Sequence, residues 1–178
     1  MASSLRPCAL PAGAFLDAYA QRGAYTDCYA VELPRLVTQG EFIAAFYTTS
    51  VFKIERWLLA RFLSKPSTDA EAHRLAAGKL ATFAAWSVER QDPDQLLLAA
   101  GRTRSWLMAS AAGTSPPSTK LHFGSAVVPG RSDSSGNPGM GWQFRVLLGF
   151  HKVYSRVLLA AACRKLAHAV RPKRAPPQ

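Results

Sequence analysis

WQFRVLLGFHKVYSRVLLAAACRKLAHAV, residues Trp142 to Val170, contains no proline and no acidic residue. At 100° per residue, Leu147, Phe150, Tyr154, Val157, Leu158 and Ala161 fall on one side, with Arg145, Lys152 and Arg156 opposite. That pattern predicts a helix with one buried face. At 1.5 Å per residue it would run on the order of 40 Å, so a broad apolar surface must lie beneath it. Short strand-like runs between Thr82 and Val128 supply that surface. The expected architecture is α+β, an antiparallel sheet covered by a long C-terminal helix, the helix-grip arrangement, with a cavity between helix and sheet.

Working back from this helix, the loop GRSDSSGNPGMG, residues 130–141, is dense in breakers. Lys120 to Val128 reads as the last strand, with Leu121, Phe123 and Val127 on one side and Lys120 and His122 on the other. GTSPPS, residues 113–118, reads as a loop. Arg104 to Ala112 and Leu96 to Ala100 read as strands joined by a hairpin at Gly101-Arg102. Leu80 to Arg90 alternates, with Ala84, Trp86 and Val88 on one face, and residues 91–94 form the turn after it.

Earlier in the chain, Ala24 to Leu33 has strand composition. Thr38…Glu41 and Thr68…Glu71 have capping-box spacing and predict helices through about Thr48 and Gly78. Between them Val51 to Leu63 should be helical, with Ile54, Trp57, Leu58 and Phe62 on its buried side. Short helices thus follow the first strand. Residues 1–23 read as a partly disordered N-terminal extension, 24–170 as the folded domain, and 171–178 as a basic disordered tail.

The chain has 178 residues, 48% hydrophobic and 19% charged, enough for one domain with its own core. The net charge of +11 favours anionic partners, either a membrane surface or, as the weaker candidate, nucleic acid. No acidic residue follows Asp133, so the excess is concentrated in the C-terminal region. Three widely spaced cysteines imply neither a zinc site nor a disulfide framework, so the cytoplasm is the expected compartment. No segment reaches the ~20 apolar residues that a bilayer span requires.

From FAAWSVERQDPDQLLLAAGRTRSWLMASA through STKLHFGSAVVP to FRVLLGFHKVYSRVLLAAACRKL, the chain resembles an uncharacterised bacterial family of the START-like, or SRPBCC, superfamily. AYTDCYAVEL and FIAAFYTTSVFKIERWLL extend the resemblance over most of Ala24 to Leu166. It implies a helix-grip domain. Members of that superfamily carry lipids, bind hormones and occasionally act as cyclases or hydratases.

No catalytic signature is present, no metal-ligand spacing occurs among His73, His122, His151 and His168, and no cofactor is implied. His151, beside the expected buried stripe, is either an acid–base group or a histidine satisfied at the helix–sheet boundary. His122 should face solvent. Arg104 shares strand parity with Trp106 and Met108. It would anchor a ligand carboxylate, pair with an acid such as Glu55, or reach water from the strand end. Trp57, Trp86, Trp106, Phe123, Phe150 and Tyr154 would line a cavity or form a solid core. The expected function is binding of a small hydrophobic or amphipathic molecule, with Arg104 favouring amphipathic acids. A peripheral binder of anionic surfaces and a cyclase- or hydratase-like enzyme are the alternatives.

Overall fold

Two Thr-x-x-Glu sequences fix two helix starts. Thr38 opens α2 (Gln39–Tyr47), its hydroxyl accepting the Glu41 N–H at 3.2 Å while the Glu41 carboxylate accepts the Thr38 N–H at 2.8 Å. Thr68 opens α4 (Asp69–Ala76) in the same way, at 3.2 and 2.7 Å with Glu71. The backbone hydrogen bond from Thr38 holds the Glu41 carboxyl below its usual range. Replacing Thr38 or Thr68 by Ala should cost about 1 kcal/mol each in urea denaturation, and replacement by Ser should cost little.

The computed structural model describes residues 4–129 and 142–168, with side chains throughout except at 58–60, 62–63, 114 and 142–153. The elements in order are β1 (Arg6–Pro7), α1 (Asp17–Gln21), β2 (Tyr25–Leu33), α2, α3 (Ser50–Leu63), α4, β3 (Thr82–Phe83), β4 (Trp86–Gln91), β5 (Gln95–Ala100), β6 (Thr103–Thr114), β7 (Pro117–Val127) and α5 (Trp142–His168). The seven strands form one antiparallel sheet in the order β1-β2-β7-β6-β5-β4-β3. No helix among the described residues is long and apolar enough to cross a membrane.

Two local expectations are corrected. The run Leu80 to Arg90 is a hairpin, because the chain turns at Ala84 with φ +51° between β3 and β4. The loop at 113–118 shrinks to Ser115 and Pro116, since β6 and β7 stay paired through Thr114 and Pro117. The expected loop at 130–141 and the expected basic tail at 171–178 lie outside the described residues, and the faces of Leu147, Phe150, His151 and Lys152 lie outside the described side chains.

Strand alternation gives the sheet two faces, and both are covered. One carries Tyr29, Val31, Leu107, Leu121 and Phe123 and packs with α2, α4 and α5 into the main core. Lys165 of α5 donates to the Thr48 carbonyl at 3.0 Å, fastening α5 to the end of α2. The cover is therefore shared, with α5 lying against β2, β7, α2 and α3. Among its described side chains, α5 buries Ser155, Leu158, Leu159, Ala162, Cys163 and Leu166. Val157, expected inside, is exposed, so the helix is rotated from the face that periodicity assigned.

The opposite face carries Cys28, Leu97, Trp106 and Ala126, and it is closed by Ala14, Phe15 and Leu16. Gln95 secures this contact. Its side-chain oxygen accepts the Phe15 N–H at 3.1 Å and the Trp106 indole N–H at 2.9 Å, and its amide donates to the Gly13 carbonyl at 3.2 Å. The segment expected as a partly disordered extension is thus structural over much of its length. His122, which sequence parity had placed in solvent, is buried, its ring 6.1 Å from that of Trp106. Gly124 makes the close approach possible, because a Cβ there would meet the Asp27 carbonyl oxygen at 2.7 Å and Leu16 at 2.9 Å.

Candidate functional site

The turn between α2 and α3 determines what faces the interior. Thr49 accepts the Phe52 N–H at 3.1 Å and caps α3 almost directly after α2 ends, which fixes the rotation of α3. Phe52 then points inward against Phe46, Tyr47 and Phe83. Glu55, one turn on, follows it inward. Ile54 and Trp57, expected on the buried side, are each 63% exposed.

Between these helices, the sheet and α5 lies a pocket of about 550 Å³. Phe46, Tyr47, Val51 and Phe52 wall one side, Trp86, Phe123 and Ser125 form the sheet side, and Tyr154, Ser155 and Leu158 close it from α5. Its surface is mostly apolar. Phe46 packs at a tilt against Phe123, with centroids 4.8 Å apart, and Phe52 against Trp86 at 5.7 Å, so the walls are held by aromatic packing.

Few polar groups interrupt this lining. The Tyr154 hydroxyl donates to the Glu55 carboxylate. Burial raises the Glu55 carboxyl above its usual range, and hydrogen bonding from Tyr154 opposes this more weakly. Burial, followed by the negative charge of Glu55, pushes the Tyr154 phenol up. Tyr47 is paired with Ser105 and is also raised by burial. The Ser155 hydroxyl is fully buried and has no hydrogen-bond partner among the described residues. A carboxylate, a phenol and a serine hydroxyl can together accept and donate to a polar group within apolar walls.

The expected site residues separate into groups. Trp86, Phe123 and Tyr154 are brought together around the pocket. Trp106 is not among them, because it lies on the opposite face of the sheet beneath the N-terminal segment. Trp57 is on the outside of α3. Arg104 borders the pocket, but its guanidinium is bound by Glu89 at 2.5 Å and by the Tyr19 hydroxyl at 2.9 Å. Its partner is therefore Glu89 rather than Glu55, and it is not a free carboxylate anchor. The Phe150 side chain lies outside the described residues.

Glu55 was missed as a lining residue, since nothing in its spacing marks it as inward. The one signal was Thr49, a capping residue whose position sets the rotation of α3. Among the described residues no cluster of His, Cys, Asp or Glu could hold a metal ion. No protein-family model, curated protein or solved structure matches the chain.

Proposed function

We propose that this domain binds a small, largely apolar molecule in the pocket between α2, α3, the sheet and α5, in a helix-grip arrangement like that of the START-like superfamily. The observation that carries the reading is an apolar pocket of about 550 Å³ interrupted by the Glu55–Tyr154 pair. Several hundred Å³ is the ordinary size of a small-molecule site, and a few polar groups in such a site orient the ligand. The long C-terminal helix over an antiparallel sheet supports the helix-grip part of the reading.

The polar group available to a ligand changes the expected preference. Arg104 is neutralised by Glu89, while Glu55 presents a carboxyl. A ligand carboxylate would meet like charge in poorly solvated surroundings. A hydroxyl or amine head would instead be accepted by Glu55. The domain should therefore prefer an amphipathic alcohol or amine to the acid of the same chain length.

Trp86 reports on the pocket, so its fluorescence serves as the readout. At about pH 8, decanol should bind roughly tenfold more tightly than decanoate, equivalent to about 1.4 kcal/mol. Glu55→Gln should narrow that gap, and Trp86→Phe should abolish the fluorescence response. Absence of binding by both compounds would overturn the proposal.

A further inference from the structure

The N-terminal segment approaches the sheet through a second pair of reactive groups, remote from the pocket. β1 pairs with β2 in the register Arg6↔Ala30 and Pro7↔Tyr29, so the next facing pair is Cys8 and Cys28. The Cys8 N–H donates to the Cys28 carbonyl at 3.0 Å, which holds the two backbones together at this position. Their sulfur atoms are 3.1 Å apart. Both are free thiols, Cys28 buried and Cys8 half-buried.

We infer that Cys8 and Cys28 form a reversible disulfide that locks the N-terminal segment onto the outer face of the sheet. Three observations converge on this pair. A disulfide bond is about 2.05 Å long, so the sulfurs need close by only about 1 Å. The facing register supplies the alignment without rearrangement of the strands. The third cysteine, Cys163, is buried in the main core on the other side of the sheet and cannot compete. A metal is the other common partner of paired thiols, and no third or fourth ligand surrounds these among the described residues.

The chemistry is thiol–disulfide exchange with a small-molecule or protein disulfide as oxidant. Cys8, the more accessible of the two, attacks one sulfur of the donor as thiolate and expels the first donor thiolate. Cys28 then attacks the Cys8 sulfur of this mixed disulfide and expels the second. Two S–H bonds are lost and one S–S bond forms. The two protons pass to the two donor thiolates, and the donor disulfide is reduced. Burial pushes the Cys28 thiol up, which makes it the resolving rather than the attacking group.

The bond would close a loop that contains α1 and the Phe15 and Leu16 contacts, turning a noncovalent cover into a tethered one. Exposed Arg22 lies within that loop and provides the assay. The reduced full-length chain is incubated with oxidised glutathione at about pH 8, where thiolate attack proceeds, then alkylated and digested with trypsin without reductant. Trypsin spares the Arg6–Pro7 bond, so Cys8 falls in peptide 1–22 and Cys28 in peptide 23–35. The expected result is that these peptides are joined and that free thiols drop from three to one. Cys8→Ser should retain both of its remaining thiols under the same treatment. Persistence of all three thiols in the folded wild type would overturn the inference. Glutathione retained on Cys8 without transfer to Cys28, or a crosslink through Cys163, would do so equally.

Discussion

Trp106→Ala should destabilise the fold by roughly 3–5 kcal/mol, whereas Trp57→Ala should change stability by less than about 0.5 kcal/mol. The two tryptophans look equivalent in sequence, each preceded by a polar residue and followed by two apolar ones in a regular element. In the structure Trp106 is 0% exposed, packed between the sheet and the N-terminal cover with its indole N–H satisfied by Gln95. Truncating it removes a large apolar contact, leaves a void and takes away one of the two hydrogen bonds to the Gln95 side-chain oxygen. Trp57 has its face in water, so its loss removes little. Urea denaturation of the two variants checks this, and equal destabilisation would mean that the N-terminal segment does not close that face.

Acid should weaken the protein through His122. Its ring is 3% exposed, its Nδ1 has no partner among the described residues, and it sits 6.1 Å from the Trp106 ring. Burial lowers its pKa from 6.5 to about 4, with the positive charge of Lys120 adding to the effect. Between these values the unfolded chain binds a proton that the folded chain refuses. Stability therefore falls as pH drops through that window, by up to about 3 kcal/mol at its acid end, and is unaffected above it. Glu55 acts in the opposite sense, because its carboxyl is raised and the fold loses stability as pH increases through its titration. His122→Phe isolates the histidine contribution. Denaturation midpoints at about pH 7.5 and about pH 4.5 should differ less in this variant than in wild type.

What could be read from the sequence was what local chemistry decides. The capping boxes at Thr38 and Thr68, the strand from Ala24 to Leu33, the hairpin at Gly101 and the existence of the last helix all rest on near neighbours in the chain. What could not be read was which way each element turns. Three errors share that cause. α3 presents Phe52 and Glu55 rather than Ile54 and Trp57, and α5 buries Leu159 and Cys163 rather than Val157. β6 sends Trp106 to the face away from the pocket. In each case both faces of the element are apolar enough to be buried, so periodicity alone does not choose between them. The choice was settled by residues elsewhere in the chain, Phe83 against Phe52 and Tyr154 against Glu55 for α3, and Gln95 with Phe15 for β6. The candidate site was legible only in part for the same reason. Its aromatic walls follow from composition, but the Glu55–Tyr154 contact joins positions far apart in sequence.

The sheet ends at both margins in a strand of only two residues, β1 and β3. Pro7 in β1 has no N–H to offer an incoming chain. On the other margin, β4 is bulged between Val88 and Arg90, and the exposed Glu89 and Arg90 lie at that irregularity. An open margin of unpaired backbone is where sheets of separate molecules fuse into aggregates, and short, bulged, charged or proline-bearing strands are the features that prevent it. A chain that is 48% hydrophobic has particular need of such protection. The device is economical: a few residues at each margin leave a newly made copy little backbone on which to extend its neighbour's sheet, so concentrated protein should stay dispersed instead of polymerising.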